Sequence, residues 1–463
     1  MKENVIVRII KSEIENYKCV RSGTIKYANN SCVQSRGELS NADIIGVYGQ
    51  NGSGKTSLVE SLDILKYILS SMPVPYDKYG DLISHEVDNL TKISARFFIQ
   101  DENDRYNVQY SVTLKPNTRT NRIELHNEKL VYWTRGCTWK LKREISLENS
   151  CYSSECTNKT YIISAESEAV DVLKRINSHN SIQNLAAKCA HSCSSILFNL
   201  NGIKELEMTN ENEAKVLHKI LASMMSFGSH KLYVLNANHI EGASTHIKAS
   251  VEQGCISLIN SGGGVISEEH IQEYRTTFDS INSALKSFIP DMQLELHEEI
   301  YTDTNGKNQI KVSVYSCRSE VSYLSRYESE GIKHLIYLIS YLIRACNDST
   351  VTLVVDNFDN DIHEFLLGEI LRFLSEEMKG QLIYTGHDLR GMEALNYKNI
   401  VCTTTNPANR YITLVGAGSH KNLRNFYIRA LVIGGQEENL YDDTDLDPMG
   451  YAFRKAAKFN LLN

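Results

Sequence analysis

Gly49-Gln50-Asn51-Gly52-Ser53-Gly54-Lys55-Thr56 decides how the whole chain is read. The pattern is G-x-x-x-x-G-K-[ST], a P-loop. Its glycines let the backbone turn so that successive amide N–H groups face phosphate oxygens. Lys55 would reach the β- and γ-phosphates, and the Thr56 hydroxyl would hold Mg²⁺. Such a loop must leave a buried strand and open a helix. Ile44-Ile45-Gly46-Val47-Tyr48 before it is short, apolar and β-rich, and Leu58, Leu62, Leu65 and Leu69 after it recur at helical spacing. Phosphates would then sit at a helix N-terminus, where unpaired N–H groups and the helix dipole favour anions. The plain alternative is a glycine-rich turn with an unrelated lysine, and both flanks speak against it.

Two features downstream extend this reading. Val351-Thr352-Leu353-Val354-Val355-Asp356 is an apolar strand ending in a carboxylate, the Walker B pattern, with Asp356 facing the Mg²⁺ shell opposite Thr56. A buried strand with a capping aspartate is the ordinary alternative. Leu382-Ile383-Tyr384-Thr385-Gly386-His387 is a second strand, ending in histidine. Between the P-loop and Walker B, Tyr327-Glu328-Ser329-Glu330-Gly331 precedes a helical face of Ile332, Leu335, Ile336, Ile339, Leu342 and Ile343. That helix start suits a second phosphate-binding surface, or a simple N-cap by Ser329.

With 463 residues the chain has room for two or three domain-sized units. Hydrophobic residues at 42% and charged residues at 23% are those of an ordinary globular protein. A formal net charge of −7 gives no global basic character to attract nucleic acid. Local basic runs exist at Arg135, Lys140, Lys142 and Arg143 and at Lys421, Arg424 and Arg429, and each can equally be a solvated face. Eleven cysteines without a paired framework read as reduced thiols, and Cys189-Ala190-His191-Ser192-Cys193 and Cys151…Cys156 lack zinc-site spacing. No secretory signal and no membrane-length apolar run are evident, so the expected location is cytoplasmic, away from the membrane.

Along the chain, Val5–Ile10 and Gly23–Tyr27 read as strands of a hairpin over the nucleotide base. Ile93–Gln100 and Tyr106–Leu114 form a second hairpin, and Arg122–Leu125 and Leu130–Trp133 a third pair. Residues 136–290 read as a mixed, mainly helical insert. Helices are expected at Glu166–Ile176, Glu211–Met225 and Ile271–Phe288, a strand at Lys231–Leu235, and a loop or hinge at Gly262–Gly264. Order returns with strands Gln293–Tyr301 and Gln309–Ser316 around an Asp-Thr-Asn-Gly turn. From about residue 330 helices and strands alternate, as a parallel core requires.

The order P-loop, S-x-G opening a helix, Walker B and strand-end histidine resembles ABC-type ATPases of the RecF/SMC/Rad50 branch. Within it, the chain resembles compact AAA-family ATP-binding proteins of bacterial defence loci, such as the ATPase subunits of PARIS-like abortive-infection pairs. Ser329-Glu330-Gly331, Asp356-Asn357-Phe358-Asp359-Asn360-Asp361-Ile362-His363, Asn16-Tyr17-Lys18 and Asn422-Leu423-Arg424-Asn425-Phe426-Tyr427 carry that narrower resemblance. It spans roughly residues 1–135 and 292–430.

The resemblance implies an α/β fold: a P-loop NTPase, an ABC ATPase head with a mixed sheet and an antiparallel β subdomain, plus a helical insert. Residues 1–135 would be one half of the head, 136–290 the insert, 291–430 the other half and 431–463 a tail. ATP with Mg²⁺ would lie between two copies of the chain. Asn51, Gly52, Ser53, Gly54, Lys55, Thr56 and Ser57 would cradle it from one copy. Ser329 and Gly331 would reach it from the other. Lys55, Asp356, Asn357 and His387 would carry catalysis, with His387 beside the γ-phosphate and the attacking water. The family places glutamate where Asn357 stands. An amide accepts no proton at neutral pH, so slow hydrolysis is expected. Implied partners are a second copy, a separate effector nuclease or toxin of Toprim type, and a phage-encoded trigger. The alternative is a RecF- or Rad50-like repair ATPase that clamps DNA. The acidic tail Glu437-Glu438…Asp442-Asp443-Thr444-Asp445-Leu446-Asp447 is a docking segment or a solvated run.

Overall fold

The computed structural model describes residues 5–27, 43–84, 86, 88–101, 104–134, 141–149, 161–166, 189, 192–200, 211–236, 251–302, 308–420, 422–442 and 446–459. Their strands form three sheets.

The core sheet has the strand order Tyr411–Ile412, Ile400–Thr403, Asp43–Tyr48, Gln381–Gly386, Thr352–Val355, Leu232–Leu235. All neighbours are parallel except the first pair. Parallel strands are buried on both faces, which explains their nearly unbroken apolar runs. Ile45, Val47, Val354, Ile383 and Val401 face one hydrophobic cluster, with the helix Lys55–Leu69. Ile44, Tyr48, Leu353, Val355, Leu382 and Tyr384 face another, with the helices Glu330–Asn347 and Glu364–Glu377.

The second sheet is wholly antiparallel, in the order Val20–Lys26, Ile6–Tyr17, Thr91–Asp101, Asp104–Asn117, Arg122–Thr134, Leu141–Asn149, Tyr161–Glu166. Its inner face shares the cluster of the P-loop helix, through residues such as Ile14, Phe97 and Tyr110. Two antiparallel sheets therefore flank the parallel core. The smaller one joins Gly263–Ser267, Met292–Thr302 and Val321–Leu324 to the strand Asn308–Arg318.

Several expectations are corrected. Arg122–Leu125 and Leu130–Trp133 are one strand, Arg122–Thr134, bent at a register shift opposite Thr113 and Leu114. Only Gly262 is a turn residue, at φ 77°. Gly263 and Gly264 begin a strand, because a side chain at Gly263 would collide with the Val312 carbonyl oxygen across the pair. The stretch 136–290 contributes to the core. Leu141–Asn149 and Tyr161–Glu166 extend the antiparallel sheet, and Leu232–Leu235 pairs with the Walker B strand. Its helices Glu211–Ser226 and Ile271–Phe288 match their expected spans, whereas residues 167–176 and the Cys151…Cys156 pair lie outside the described residues. The edge strand of the core sheet is short, only Tyr411–Ile412.

Candidate nucleotide site

The parallel register brings three strand ends side by side. Tyr48 pairs with Gly386, and Val355 with Tyr384. The P-loop, His387 and Asp356 thus leave one edge of the sheet on adjacent strands. Ligands in open α/β sheets bind at this carboxyl edge.

The loop has the required backbone. Gly52 and Gly54 have φ of 76° and 94°, left-handed values that favour glycine, and Gly54 caps the helix Lys55–Leu69. Gly54 also allows close approach, since a side chain there would touch Val20 and Arg410. The first strand hairpin therefore does reach the P-loop. Lys55 is buried and folds over the loop, donating to the Gly49 and Gln50 carbonyls at 2.7 and 2.9 Å. Burial lowers its pKa, and the charges of Asp356 and then Asp359 oppose that shift. Asn51, Gly52 and Thr56 are exposed, whereas Ser53 and Ser57 are buried. Ser53 Oγ bonds the Gln50 carbonyl at 2.6 Å and Thr403 Oγ1 at 2.5 Å. Its hydroxyl shapes the loop.

Asp356 is held by a residue that motif reading passed over. Thr385 Oγ1, fully buried, donates to Asp356 Oδ1 at 2.5 Å and accepts from the Asn357 N–H at 2.8 Å. The Asp356 N–H donates to the Leu235 carbonyl at 2.8 Å, so the insert's strand helps to seat the Walker B residue. The only sequence signal for Thr385 was a polar residue among apolar ones at a strand end.

Asn357 has φ 52° and Asp361 has φ 55°. Asn and Asp tolerate this left-handed region better than other side-chain-bearing residues. Between them Asp359 accepts backbone N–H bonds from His387, at 2.6 Å, and from Asp388. Asp359 is thereby a brace between the two loops. His387 is exposed at this edge, and its pKa is lowered by desolvation and then by the Lys55 charge. At neutral pH its ring is uncharged and can accept a hydrogen bond.

Ser329 and Glu330 are exposed at the start of the helix Glu330–Asn347, where Ser329 Oγ accepts from the Ile332 N–H at 3.4 Å. Gly331 packs in its own chain: a methyl there would collide with the Asp361 carbonyl oxygen and crowd Asp361 Cβ at 3.2 Å. One turn on, buried His334 lies with Nε2 3.3 Å from the Phe358 carbonyl oxygen. The signature helix is thus seated directly on the loop that follows Walker B.

The donor set fits Mg²⁺. Thr56 and Asp356 offer hard oxygens, and Mg²⁺ takes one or two protein ligands plus phosphates. Among the described residues no group of three or more His, Cys, Asp or Glu side chains forms a metal cage. Cys189 and Cys193 are buried. Of the basic runs, residues 135 and 140 and the side chains of Lys142 and Arg143 lie outside the described residues, as does Lys421. Arg424, in the first turn of the helix that Asn422 caps, sits 3.7 Å from Glu393. Tyr17 and Lys18 bond Glu60 of the P-loop helix at 3.1 and 2.7 Å, which gives the Asn-Tyr-Lys motif a structural task. Among the described residues no helix is long and apolar enough to cross a membrane.

No protein-family model matches the chain, and no curated protein matches it in sequence. Solved structures similar to it include head domains of SMC proteins. One is an SMC head bound to the C-winged helix domain of ScpA, 13% identical, with a TM-score of 0.41 over 89% of this chain and 99% of that one. Another is the Pyrococcus furiosus SMC head with an extended coiled coil, bound to the C-terminal domain of ScpA, 13% identical with a TM-score of 0.40 over 91% and 100%. A third is the Thermotoga maritima SMC head, 12% identical with a TM-score of 0.35 over 88% and 99%.

Proposed function

We propose that the chain is an ABC-type ATPase subunit that binds Mg²⁺·ATP and uses it to join two copies, within a bacterial anti-phage defence system. The observation that carries the nucleotide reading is the convergence of Lys55, Asp356 and His387 at one sheet edge, with Lys55 close enough to feel the Asp356 charge. The P-loop amides and Lys55 bind the phosphates, and bound Mg²⁺ neutralises their charge. Thr56 and Asp356 would hold that ion, with Asp356 fixed by Thr385. Neutral His387 orients a water or a phosphate oxygen. Asn357 supplies no general base, so turnover is slow and ATP acts chiefly as an adhesive between subunits.

The exposed Ser329 at a helix N-terminus supports a role in trans, against the triphosphate of a second copy. On the family resemblance, the assembled ATPase restrains a separate Toprim-type nuclease and frees it when a phage protein is sensed.

The test uses the purified full-length chain. Light scattering should show ATP-dependent association that Lys55→Ala abolishes through lost nucleotide binding. Ser329→Arg should bind nucleotide but stay unassociated. Association of Ser329→Arg equal to wild type would refute the sandwich. Co-purification of the neighbouring gene product supports the defence role, and a salt-dependent DNA shift without it would favour a DNA clamp.

A further inference from the structure

The acidic tail is tied to the phosphate loop. After the helix Leu423–Ile433, Gln436 exchanges hydrogen bonds with the Val415 backbone, at 2.9 Å to its Oε1 and 3.3 Å from its Nε2. Glu438 accepts from Asn406 at 3.0 and 3.1 Å and from Asn409 at 3.0 Å. The Thr405 N–H donates to the Asn439 carbonyl at 2.8 Å, and Leu440 is buried. The chain then crosses to the P-loop. The Asp442 N–H donates to Gln50 Oε1 at 3.0 Å, and Gln50 Nε2 donates to Asp442 Oδ2 at 3.3 Å.

The strap is fixed through Leu440, and what ties it to the P-loop is an exposed pair of bonds. That link places a carboxylate against a loop built to receive phosphate, and further acids follow at Asp443, Asp445 and Asp447. Past it comes the helix Leu446–Phe459, which leaves Met449, Tyr451 and Phe453 exposed, Phe453 at 76%.

We propose that Asp442 and Gln50 form a nucleotide-sensitive clasp. The triphosphate repels the Asp442 carboxylate and competes for the P-loop conformation that Gln50 holds. Binding opens the clasp and loosens the hold on the tail that follows Asp442. This rests on the P-loop binding nucleotide, as proposed above. Linkage then demands the converse: the closed clasp weakens ATP binding, because only the open fraction binds freely.

The test compares the full-length chain with its Asp442→Ala variant, reading ATP affinity by calorimetry and amide exchange of residues 441–459. Wild type should exchange faster in this segment when Mg²⁺·ATP is added. Asp442→Ala should exchange fast without nucleotide and bind ATP about three- to tenfold more tightly, the scale of one or two exposed hydrogen bonds. ATP binding with no change in tail exchange overturns the clasp and leaves the nucleotide site standing. Equal ATP affinity in the two proteins overturns it as well. An absence of ATP binding in both sinks the clasp together with the site.

Discussion

Thr385 offers the sharpest test of how the site is held. Thr385→Val keeps shape and volume, so no cavity opens. The change removes the hydroxyl that donates to Asp356 at 2.5 Å and accepts from the Asn357 N–H at 2.8 Å. A hydrogen bond to a charged group is worth about 1.5–3 kcal/mol. The Asn357 N–H is only half-buried, so its lost partner adds about 1 kcal/mol. The expected loss is about 2.5–4 kcal/mol of unfolding free energy, read from urea transitions without nucleotide. A second readout follows from geometry. An Asp356 carboxylate free to rotate should hold Mg²⁺ less well, so the gain in ATP affinity on adding Mg²⁺ should shrink severalfold. Stability within about 0.5 kcal/mol of wild type, the scatter of an uninvolved substitution, with unchanged Mg²⁺ dependence would refute the reasoning.

Three further outcomes are expected. Gly331→Ala gains at most about 1 kcal/mol of helix propensity but forces backbone against the Asp361 carbonyl, so it should lower stability by about 1–2 kcal/mol without nucleotide; a raised melting temperature would show that this glycine is not needed for packing. Asn357→Glu should raise the steady-state ATPase rate at least tenfold while costing about 1 kcal/mol of stability, since glutamate tolerates φ 52° less well; an unchanged rate would rule out Asn357 as a brake on turnover. His334 titrates below its ordinary 6.5 because burial disfavours its charged form. The unfolded chain therefore takes up a proton that the folded chain refuses, and stability is lost as pH falls from about 6.5 through the folded value. His334→Gln should flatten that acid slope in denaturant melts, and an identical slope would show that other groups set it.

The P-loop strand and helix were legible because one motif fixes backbone, dipole and burial together. The strands that lead to Asp356 and His387 were legible for a related reason: a buried parallel strand has an unbroken apolar signature, and a polar residue at its end stands out. Their convergence was not legible, since strand order depends on pairings hundreds of residues apart. Leu232–Leu235 illustrates the limit. Four apolar residues announce a strand but not that its partner is the Walker B strand. Gly263 misled because glycine suits both a hinge and a close cross-strand approach, and only the opposing Val312 carbonyl decides between them. Thr385 showed only as a polar residue near a strand end, and its task stayed hidden because that task is a pair of hydrogen bonds to two residues in another segment.

The P-loop strand has a consequence for how the protein is made. Its neighbour, Gln381–Gly386, lies far downstream, with Asp43 paired to Gln381 across 338 positions. At about 5–20 residues per second a ribosome needs about 17–70 seconds to cover that interval. Through that time the apolar strand before Gly49 has no permanent neighbour on that side. A newborn chain should therefore leave this strand exposed to aggregation or chaperones until Gln381–Gly386 emerges.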